Sequence, residues 1–413
     1  MTRLHFLVTA ALALLLFQNP ANAQKRYYKG NTHTHSLWSD GNDFPEMIVD
    51  YYHKNGYDFI ALSDHDILAE GEKWMALDAI RKRQKGLGRG AVEKCEARFG
   101  KDWVKRETRN EMEGVILKTL EEFRGQFEEP GKFLIVKAEE ISGRSKSGPV
   151  HINAINLESK IPSIKSKEMP TVDVMRQTLQ AVAEQEKKIG RPVMTHLNHP
   201  NFQWAITAED LAAVAEERFF EVYNGHPGIN HLGSEEKERP GDQEIWDIAN
   251  TIRIAEMQAE PLFGVATDDS HTYHGGDVSP GRGWVMVAAD KLDGDSLVLA
   301  MRAGDFYAST GVTLKAIHYV PESKVVEIEI EPDGDAEFTS QLIGTKKGYD
   351  AAAEDGKTGI GEIFATAKGS VVRFEIPKDA YYARVTVTSS KAHPNPSYRG
   401  QKTQAWTQPV GWR

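Results

Sequence analysis

The sequence predicts an α/β fold in which short buried strands and helices alternate and close into a barrel. Seven apolar strand candidates recur between about residue 27 and about residue 310, and helical stretches lie between most of them. Strands that alternate with helices favour a parallel sheet or barrel, and seven such strands favour the barrel. No strand is followed by a GxGxxG or GxxxxGK[ST] phosphate loop, which disfavours a nucleotide-binding doubly wound sheet.

The first 23 residues differ from the rest and are typical of a secretory signal peptide. Arg3 is their only charge, an apolar run extends from Phe6 to Phe17, and Ala21-Asn22-Ala23 forms an A-x-A cleavage site. The alternative is an uncleaved membrane anchor, although the run is short for a bilayer span. We therefore expect a secreted or periplasmic protein with no stable membrane insertion.

The composition of the chain limits the kinds of molecule that it is expected to bind. The 413-residue chain is 40% hydrophobic and 27% charged, which is typical of a soluble globular protein. Removal of the leader with its Arg3 takes the formal net charge from −10 to −11, which argues against nucleic-acid binding. A small anionic substrate is compatible with this charge if metals supply local positive charge. Cys95 is the only cysteine, so neither an intramolecular disulfide nor a cysteine-ligated metal is expected.

The barrel elements follow one another along residues 24–310. The strand candidates are Tyr28–His35, Phe59–Ser63, Phe133–Glu139, Val150–Asn156, Val193–Leu197, Phe219–Tyr223 and Phe263–Thr267. Helices are predicted for Val172–Lys188, Ala208–Ala215 and Gln243–Met257, where apolar residues recur at helical spacing.

Two further segments depart from this alternation. Residues 69–130 are highly charged and helix-like, which predicts a helical insertion beside the barrel mouth. It is either a lid that selects substrate or a solvated decoration. Residues 311–413 hold the β-branched runs Val325–Ile330, Val371–Ile376 and Ala383–Ser389, which predict a small β-sandwich-like domain. That domain either supports the barrel or binds a carbohydrate or another surface.

Nearly every barrel strand carries a metal-type ligand at one end. His33 and His35 lie at i and i+2, a spacing that points both imidazoles to the same side of a strand. Later strands contribute Asp64-His65-Asp66, Glu139-Glu140, His151, His196, His199, Glu221, Asp268-Asp269 and His271. Burying so many such groups together is costly without cations, so a metal cluster is predicted. Nitrogen and oxygen donors without sulfur suit Zn, Mn or Fe.

The order of these motifs resembles that of the PHP superfamily, named for polymerase and histidinol phosphatase. The blocks are His33-Thr34-His35-Ser36-Leu37-Trp38-Ser39-Asp40-Gly41, Ser63-Asp64-His65-Asp66, Glu139-Glu140-Ile141, Val150-His151, Asn198-His199-Pro200 and Asp269-Ser270-His271. The resemblance covers roughly residues 27–310 and implies a distorted (β/α)7 barrel. The segment from Phe306 to Gly311 and the overall layout are similar to the secreted branch named after a carbaryl hydrolase.

The resemblance implies three divalent metal ions. A first would be held by His33, His35, Glu140 and Asp269; a second by Glu140, His151 and His199; and a third by Asp40, His65 and His271. The family pattern favours Glu140 over Glu139, His199 over His196 and Asp269 over Asp268. Asp64, Glu139 and Asp268 would then orient the ligands through hydrogen bonds from outside the metal shell.

The chemistry implied by such a centre is hydrolysis. Bridged metals lower the pKa of water, so a hydroxide can attack phosphorus without a Ser, Cys or Thr nucleophile. The expected function is therefore a phosphoesterase acting on a small phosphate ester. The alternative is a carbamate, carboxylic ester or amide hydrolase on the same centre. His196, His226 and Arg282 are candidates for substrate binding or leaving-group protonation, although Arg282, between two glycines, is equally a turn residue.

Two other classes are disfavoured. A non-catalytic binding protein predicts degraded ligands, whereas all nine expected ligands are present. A DNA exonuclease is disfavoured by the export signal and the acidic charge. The substrate and the oligomeric state have no readable signature in the sequence.

Overall fold

The structure is a computed structural model that describes residues 26–84, 90–350 and 359–413. The predicted signal peptide, residues 1–23, lies outside the described residues. The strands, numbered along the chain, are Arg26–Asn31 (β1), Phe59–Leu62 (β2), Lys73–Ala76 (β3), Lys105–Arg109 (β4), Met112–Leu117 (β5), Leu134–Arg144 (β6), Pro149–Ile155 (β7), Met194–Leu197 (β8), Phe219–Asn224 (β9), Phe263–Thr267 (β10), Trp284–Ala289 (β11), Phe306–Ser309 (β12), Leu314–Val320 (β13), Val325–Ile330 (β14), Phe338–Lys346 (β15), Glu362–Lys368 (β16), Val371–Glu375 (β17), Ala380–Ala392 (β18) and Lys402–Thr407 (β19). The α-helices are Pro45–Lys54 (α1), Leu77–Gln84 (α2), Ala91–Phe99 (α3), Leu120–Phe123 (α4), Thr171–Ile189 (α5), Ala208–Ala213 (α6), Asp242–Thr251 (α7) and Gly294–Arg302 (α8).

Thirteen of these strands form one large mixed sheet. Its order is β10-β9-β8-β7-β6-β2-β1-β11-β12-β19-β18-β15-β16. The pairs β1–β2, β2–β6, β8–β9 and β9–β10 are parallel, whereas β7 runs antiparallel to both β6 and β8. Each of the seven predicted strands overlaps a strand of this sheet. Of these seven, β7 runs in the opposite direction to its neighbours.

The expected closed barrel is not found, because no strand ladder in the described ranges joins β10 to β1. β1 pairs instead with β11 along Arg26–Gly30, which occupies the backbone groups that a closing strand would need. Past the end of β1, a single parallel bridge joins Thr34 to Ser270. His35 N donates to Ser270 O (3.0 Å) on one side of that bridge. Asp269 N likewise donates to His33 O (3.0 Å), so these backbone contacts lie beside residues predicted to bind metal.

Helices cover the sheet with their apolar faces. The helices α5, α6 and α7 pack on β7, β8 and β9 in one buried cluster that includes Met175, Leu211 and Trp246. α8 packs through Leu297 and Met301 on a second cluster against β1, β10 and β11. Burial of these stripes, rather than intrinsic helix propensity, supplies most of the stability of such helices. No helix in the described part of the chain is both long enough and apolar enough to cross a bilayer.

Residues 69–130, predicted as a helical insertion, are helical only in part. They contain α2, α3 and α4, but also the antiparallel sheet β3-β5-β4. The β4–β5 hairpin turns at Asn110 and Glu111, whose φ values of 50° and 64° match a two-residue hairpin turn. The strands were hidden because β4 is almost entirely charged and largely exposed. Lys94 Nζ on α3 forms an ion pair with Asp43 Oδ2 (2.8 Å), which holds the insertion beside the loop that contains the predicted ligands His35 and Asp40.

The C-terminal strands continue the large sheet. β12 pairs with β19, so the predicted boundary at residue 311 falls within a continuous sheet. The separate sheet β13-β14-β17 packs over β15, β18 and β19 in an apolar cluster that includes Ile328 and Val385. A buried ion pair, Arg384 Nη2 to Asp247 Oδ2 (2.5 Å), joins β18 to α7. The observed two-layer β arrangement therefore packs directly on the α/β part.

Candidate metal centre

The structure brings the nine predicted metal ligands together at one edge of the large sheet. The parallel strands β1, β2, β8, β9 and β10 end at this edge, and most ligands follow those ends. Because β7 runs in the opposite direction, His151 near its start reaches the same edge. In the β6–β7 register His151 lies opposite Ser142, two residues beyond Glu140.

The innermost group consists of His33, His35, Glu140 and Asp269, which are all buried. Asp269 Oδ1 lies 3.3 Å from His33 Nε2 and 3.1 Å from His35 Nε2. The Glu140 oxygens lie 3.4 and 3.5 Å from the same two nitrogens, and neither nitrogen makes a well-aligned hydrogen bond with any residue that the structure describes. Atoms that bind a tetrahedral metal at about 2.0–2.2 Å are roughly 3.4 Å apart. The spacing and the unpaired nitrogens therefore fit a shared cation.

Three further histidines, His65, His151 and His199, also approach the carboxylate of Glu140. His65 Nδ1 lies 2.6 Å from Glu140 Oε2, and His151 Nδ1 lies 3.0 Å from Glu140 Oε1. His199 Nε2 lies 3.4 Å from Oε1, to which Asn198 Nδ2 also donates at 2.8 Å. β6 extends past its predicted end at Glu139 to Arg144, so a regular strand places this carboxylate.

Asp40, His65 and His271 form an outer group at the opening of the site. Asp40 Oδ1 lies 3.3 Å from His271 Nε2, and Asp40 Oδ2 lies 3.6 Å from His65 Nε2. The rings of His65 and His271 stack on His35 with centroid separations of 4.4 and 4.2 Å. The side chain of Asp40 is 55% exposed, which places it at the rim.

Donor atoms close enough to share an ion fall into three overlapping groups. Atoms within 4.8 Å of one another come from His33, His35 and Asp269; from His65, Glu140 and His151; and from His35, Asp40, His65 and His271. This grouping differs in detail from the expected sets, because His65 approaches Glu140 and His35 approaches the outer group. His199 connects to the cluster through Glu140.

The carboxylates of the site are held in their ionised form. Burial alone would raise the pKa of Glu140, but His65, His151 and His33 hold it well below its usual range. Burial also opposes ionisation of Asp269, whose pKa is nevertheless held well below normal, chiefly by His33 and His35. Ionised carboxylates are the state that metal binding requires.

Two of the predicted ligands have a strained backbone conformation. Asp269 and His199 have φ values of 47° and 25°, a region that residues with a side chain rarely adopt. Such conformations cost about 1–3 kcal/mol and persist only where surrounding contacts fix them. A glycine is required at position 41 for a steric reason, since a Cβ there would lie 2.3 Å from His35 O.

Asp64 and Asp268 hold the loops that carry the ligands. Asp64 accepts hydrogen bonds from the backbone N–H groups of Ser36 (2.7 Å) and Ser39 (3.0 Å), which shapes the chain between His35 and Asp40. Asp268 accepts from the hydroxyl of Tyr52 (2.6 Å) and from three successive N–H groups that begin at Gly281. Both carboxylates thus act on ligand loops.

Glu139 is directed away from the site, as the alternation of a strand requires of the neighbour of Glu140. Its carboxylate accepts a hydrogen bond from Ile161 N. Burial raises the pKa of Glu139 to about 7.

Glu221 is the site residue to which the sequence assigned no role. Its Oε1 accepts from His33 Nδ1 (2.7 Å) and from Thr267 Oγ1 (2.6 Å). Its Oε2 accepts from His199 N (2.8 Å) and from Asn224 Nδ2 (2.8 Å), and Asn224 Nδ2 also reaches Asp269 Oδ2 (3.1 Å). The only signal in the sequence is a polar residue at the end of a buried strand.

A cavity of about 200 Å³ opens onto the cluster. Besides the ligands, its lining contains His226, Phe202 and Ile229. His226 Nδ1 accepts a hydrogen bond from Gly228 N (2.9 Å), so in the neutral ring the proton resides on Nε2. Burial lowers the pKa of His226 below its ordinary value.

His196 and Arg282 lie outside the cavity lining. His196 is fully buried, its ring centroid lies 6.3 Å from that of His33, and burial lowers its pKa to about 4. The guanidinium of Arg282 donates to the carbonyls of Gly225 (2.8 Å), Asp277 and Asn395 (3.2 Å). These contacts tie together the loops of His226 and His271 and the C-terminal layer.

The chain is similar to two solved structures at low TM-scores. One is a two-domain protein from Bacteroides vulgatus ATCC 8482 containing a predicted PHP-like metal-dependent phosphoesterase, with TM-score 0.41 and 15% identity over 94% of this chain and 96% of that chain. The other is a protein from Bifidobacterium adolescentis ATCC 15703, named by prediction as a metal-dependent phosphoesterase, with TM-score 0.31 and 14% identity over 60% of this chain and 87% of that chain. No protein-family model and no curated protein matches the chain. At these TM-scores neither likeness carries an inference about function.

Proposed function

We propose that the protein is a metal-dependent phosphoesterase of the PHP superfamily that hydrolyses a small phosphate ester at a trinuclear site. The observation that supports this most strongly is the inner group of donors. His33 Nε2 and His35 Nε2 are buried without a well-aligned hydrogen bond to any described residue and face the oxygens of Asp269 at ligand spacing. The six motif blocks of the sequence support the same proposal, and the sheet is then a distorted, open form of the superfamily's (β/α)7 barrel.

The donor set fits three divalent cations among Zn, Mn and Fe. His33, His35, Glu140 and Asp269 would hold the first, Glu140, His151 and His199 the second, and Asp40, His65 and His271 the third. When bound, such metals supply a nucleophile at neutral pH and neutralise the charge on the ester oxygens.

The side chains around the donors have separate tasks. Glu221 accepts the Nδ1 proton of His33 and so leaves Nε2 of that ring free for a metal. Asp64 fixes the loop between His35 and Asp40 through two backbone N–H groups. His226 presents an Nε2 proton beside the cavity, which suits it to donate a hydrogen bond to the leaving oxygen. In this proposal His196 and Arg282 have supporting rather than catalytic tasks.

A carbamate, carboxylic ester or amide hydrolase is the second candidate. Among the described residues that line the cavity there is no lysine or arginine, and Phe202 and Ile229 supply an apolar wall. A neutral ester therefore meets no unpaired cation in this lining. The same metals would activate the same nucleophile for either bond.

The proposal extends to where the enzyme acts. The leader at residues 1–23 supports export to the periplasm or outside the cell. The acidic charge and the small cavity support a small anionic substrate rather than a nucleic acid.

A direct assay separates the two candidate reactions. The purified protein, stripped with chelator and reloaded with Mn or Zn, is offered p-nitrophenyl phosphate, a phosphodiester and an aryl carbamate. We expect metal-dependent turnover of at least one phosphate ester. Turnover of the carbamate alone would reject the phosphoesterase, and fewer than two bound metals per chain would count against the centre.

A histidine variant tests the assignment within the same assay. His33→Ala is expected to abolish hydrolysis while the fold is retained, because it removes a buried donor of the innermost group. His318→Ala is the matched control, since His318 is exposed on β13. Unchanged activity of His33→Ala would refute the ligand assignment.

A further inference from the structure

One wall of the cavity is apolar and consists of Phe202 and Ile229. The ring centroid of Phe202 lies 5.1 Å from that of His199 and 6.2 Å from that of His151. Ile229 also lines the cavity but is only 2% exposed, so the partly buried Phe202 presents the more accessible part of this wall. An apolar surface that can contribute no metal ligand therefore lies beside the predicted metal ligands.

The two parts of this wall are held to each other. The carbonyl of Asn201 accepts a hydrogen bond from Asn230 Nδ2 (3.1 Å). This bond joins the turn that carries Phe202 to the loop that carries Ile229. The turn itself is strained, since Gln203 and Trp204 have φ values of 52° and 59°. Strain of about 1–3 kcal/mol at each such residue persists only where contacts impose it. The ring is therefore placed by the fold.

We infer that Phe202 and Ile229 form a subsite for a single planar apolar ring on the organic side of the ester; this inference rests on the proposed phosphoesterase function. Size supports one ring, because a cavity of about 150 Å³ holds benzene. The present cavity of about 200 Å³ leaves room for one ring and a compact charged group. An aromatic side chain favours such a ring through offset or edge-on packing.

Two phosphonates test the subsite without any bond cleavage. Phenylphosphonate and methylphosphonate carry the same charged group and differ in the ring. Inhibition of the metal-loaded enzyme is measured with each, against a phosphate ester that it hydrolyses. We expect phenylphosphonate to bind about 10-fold more tightly or better, from burial of the additional apolar surface.

Variants locate the effect. Phe202→Ala and Ile229→Ala are each expected to reduce the ratio of the two inhibition constants several-fold while binding of methylphosphonate changes little. Leu232→Ala is the matched control, because Leu232 lies in the same loop as Ile229 but is 65% exposed. It should leave the ratio unchanged.

The possible failures are distinguishable. Equal inhibition by the two phosphonates in the unmodified enzyme would overturn the subsite while phosphate-ester turnover still supported the phosphoesterase. A wild-type preference that survives both alanine variants would also overturn it. The absence of metal-dependent turnover of any phosphate ester would reject the phosphoesterase itself.

Discussion

Glu221 Oε1 accepts a hydrogen bond from His33 Nδ1 at 2.7 Å, although the two residues are 188 positions apart in the sequence. Both side chains are fully buried. This bond selects the tautomer in which His33 Nε2 lacks a proton, which is the form that binds a metal. The same carboxylate also accepts from His199 N, so one side chain positions two predicted ligands.

Glu221→Gln is expected to weaken metal binding by about 10- to 100-fold. The amide keeps the size of the side chain but loses the charge that favours the Nδ1–H tautomer of His33. The affinity is measured by competition with a chelator of known strength. Glu217→Gln is the control, because Glu217 is also buried and lies just before β9. Equal affinities of Glu221→Gln and the unmodified protein would contradict this role.

His226→Ala is expected to lower kcat by about 10²- to 10³-fold for an alkyl phosphate. The reason is that negative charge builds up on a leaving alkoxide oxygen, and the neutral His226 ring can donate a hydrogen bond to that oxygen from Nε2. A p-nitrophenolate leaving group is stabilised by delocalisation of its charge, so its turnover should fall much less. The measurement is the dependence of kcat on leaving-group pKa, and a uniform loss across substrates would exclude His226 as a hydrogen-bond donor to the leaving group.

Local periodicity was sufficient to predict which side chains of neighbouring residues face the site. His33 and His35 share one side of the chain at the end of β1, as their i, i+2 spacing indicates. Glu139 and Glu140 are neighbours on β6, and strand alternation separates them into one side chain outside the site and one within it. Such rules require only that the residues lie in extended backbone.

Contacts between distant segments were not predictable in the same way. The sheet did not close as expected because β1 pairs with β11, and both edges of a strand look alike in a sequence. The guanidinium of Arg282 binds backbone carbonyl oxygens. Because every residue has such an oxygen, the sequence contains no side-chain pattern from which these partners could be predicted. The role of Glu221 likewise depends on which strand end lies opposite His33.

Arg282→Lys is expected to lower the free energy of unfolding by about 2–4 kcal/mol, because a buried ammonium cannot replace the fork of donors to Gly225 and Asn395. The effect on KM for a phosphate ester should be small at temperatures where the variant is folded. Chemical unfolding and steady-state kinetics measure the two effects separately. A stable variant with a strongly raised KM would show that Arg282 binds the substrate anion instead.

Glu217 is expected to make stability depend on pH. Burial raises its pKa from 4.5 to about 7, although Phe219 N donates to its carboxylate and Arg253 lies nearby. The folded protein therefore holds a proton that the unfolded chain releases near pH 4.5. The contribution is fully present below that pH, declines as the pH rises to about 7, and is constant above it.

Glu217→Gln removes this titration, so the variant should lose less stability than the unmodified protein between pH 5 and pH 8. The expected difference is about 3 kcal/mol, from about 1.4 kcal/mol per pKa unit over the roughly two units of the shift that lie in this window. Urea unfolding at both pH values measures it, with metal-free protein throughout so that ligand protonation is the same in both chains. Parallel pH profiles for the two proteins would mean that Glu217 is already ionised in the folded state at pH 5.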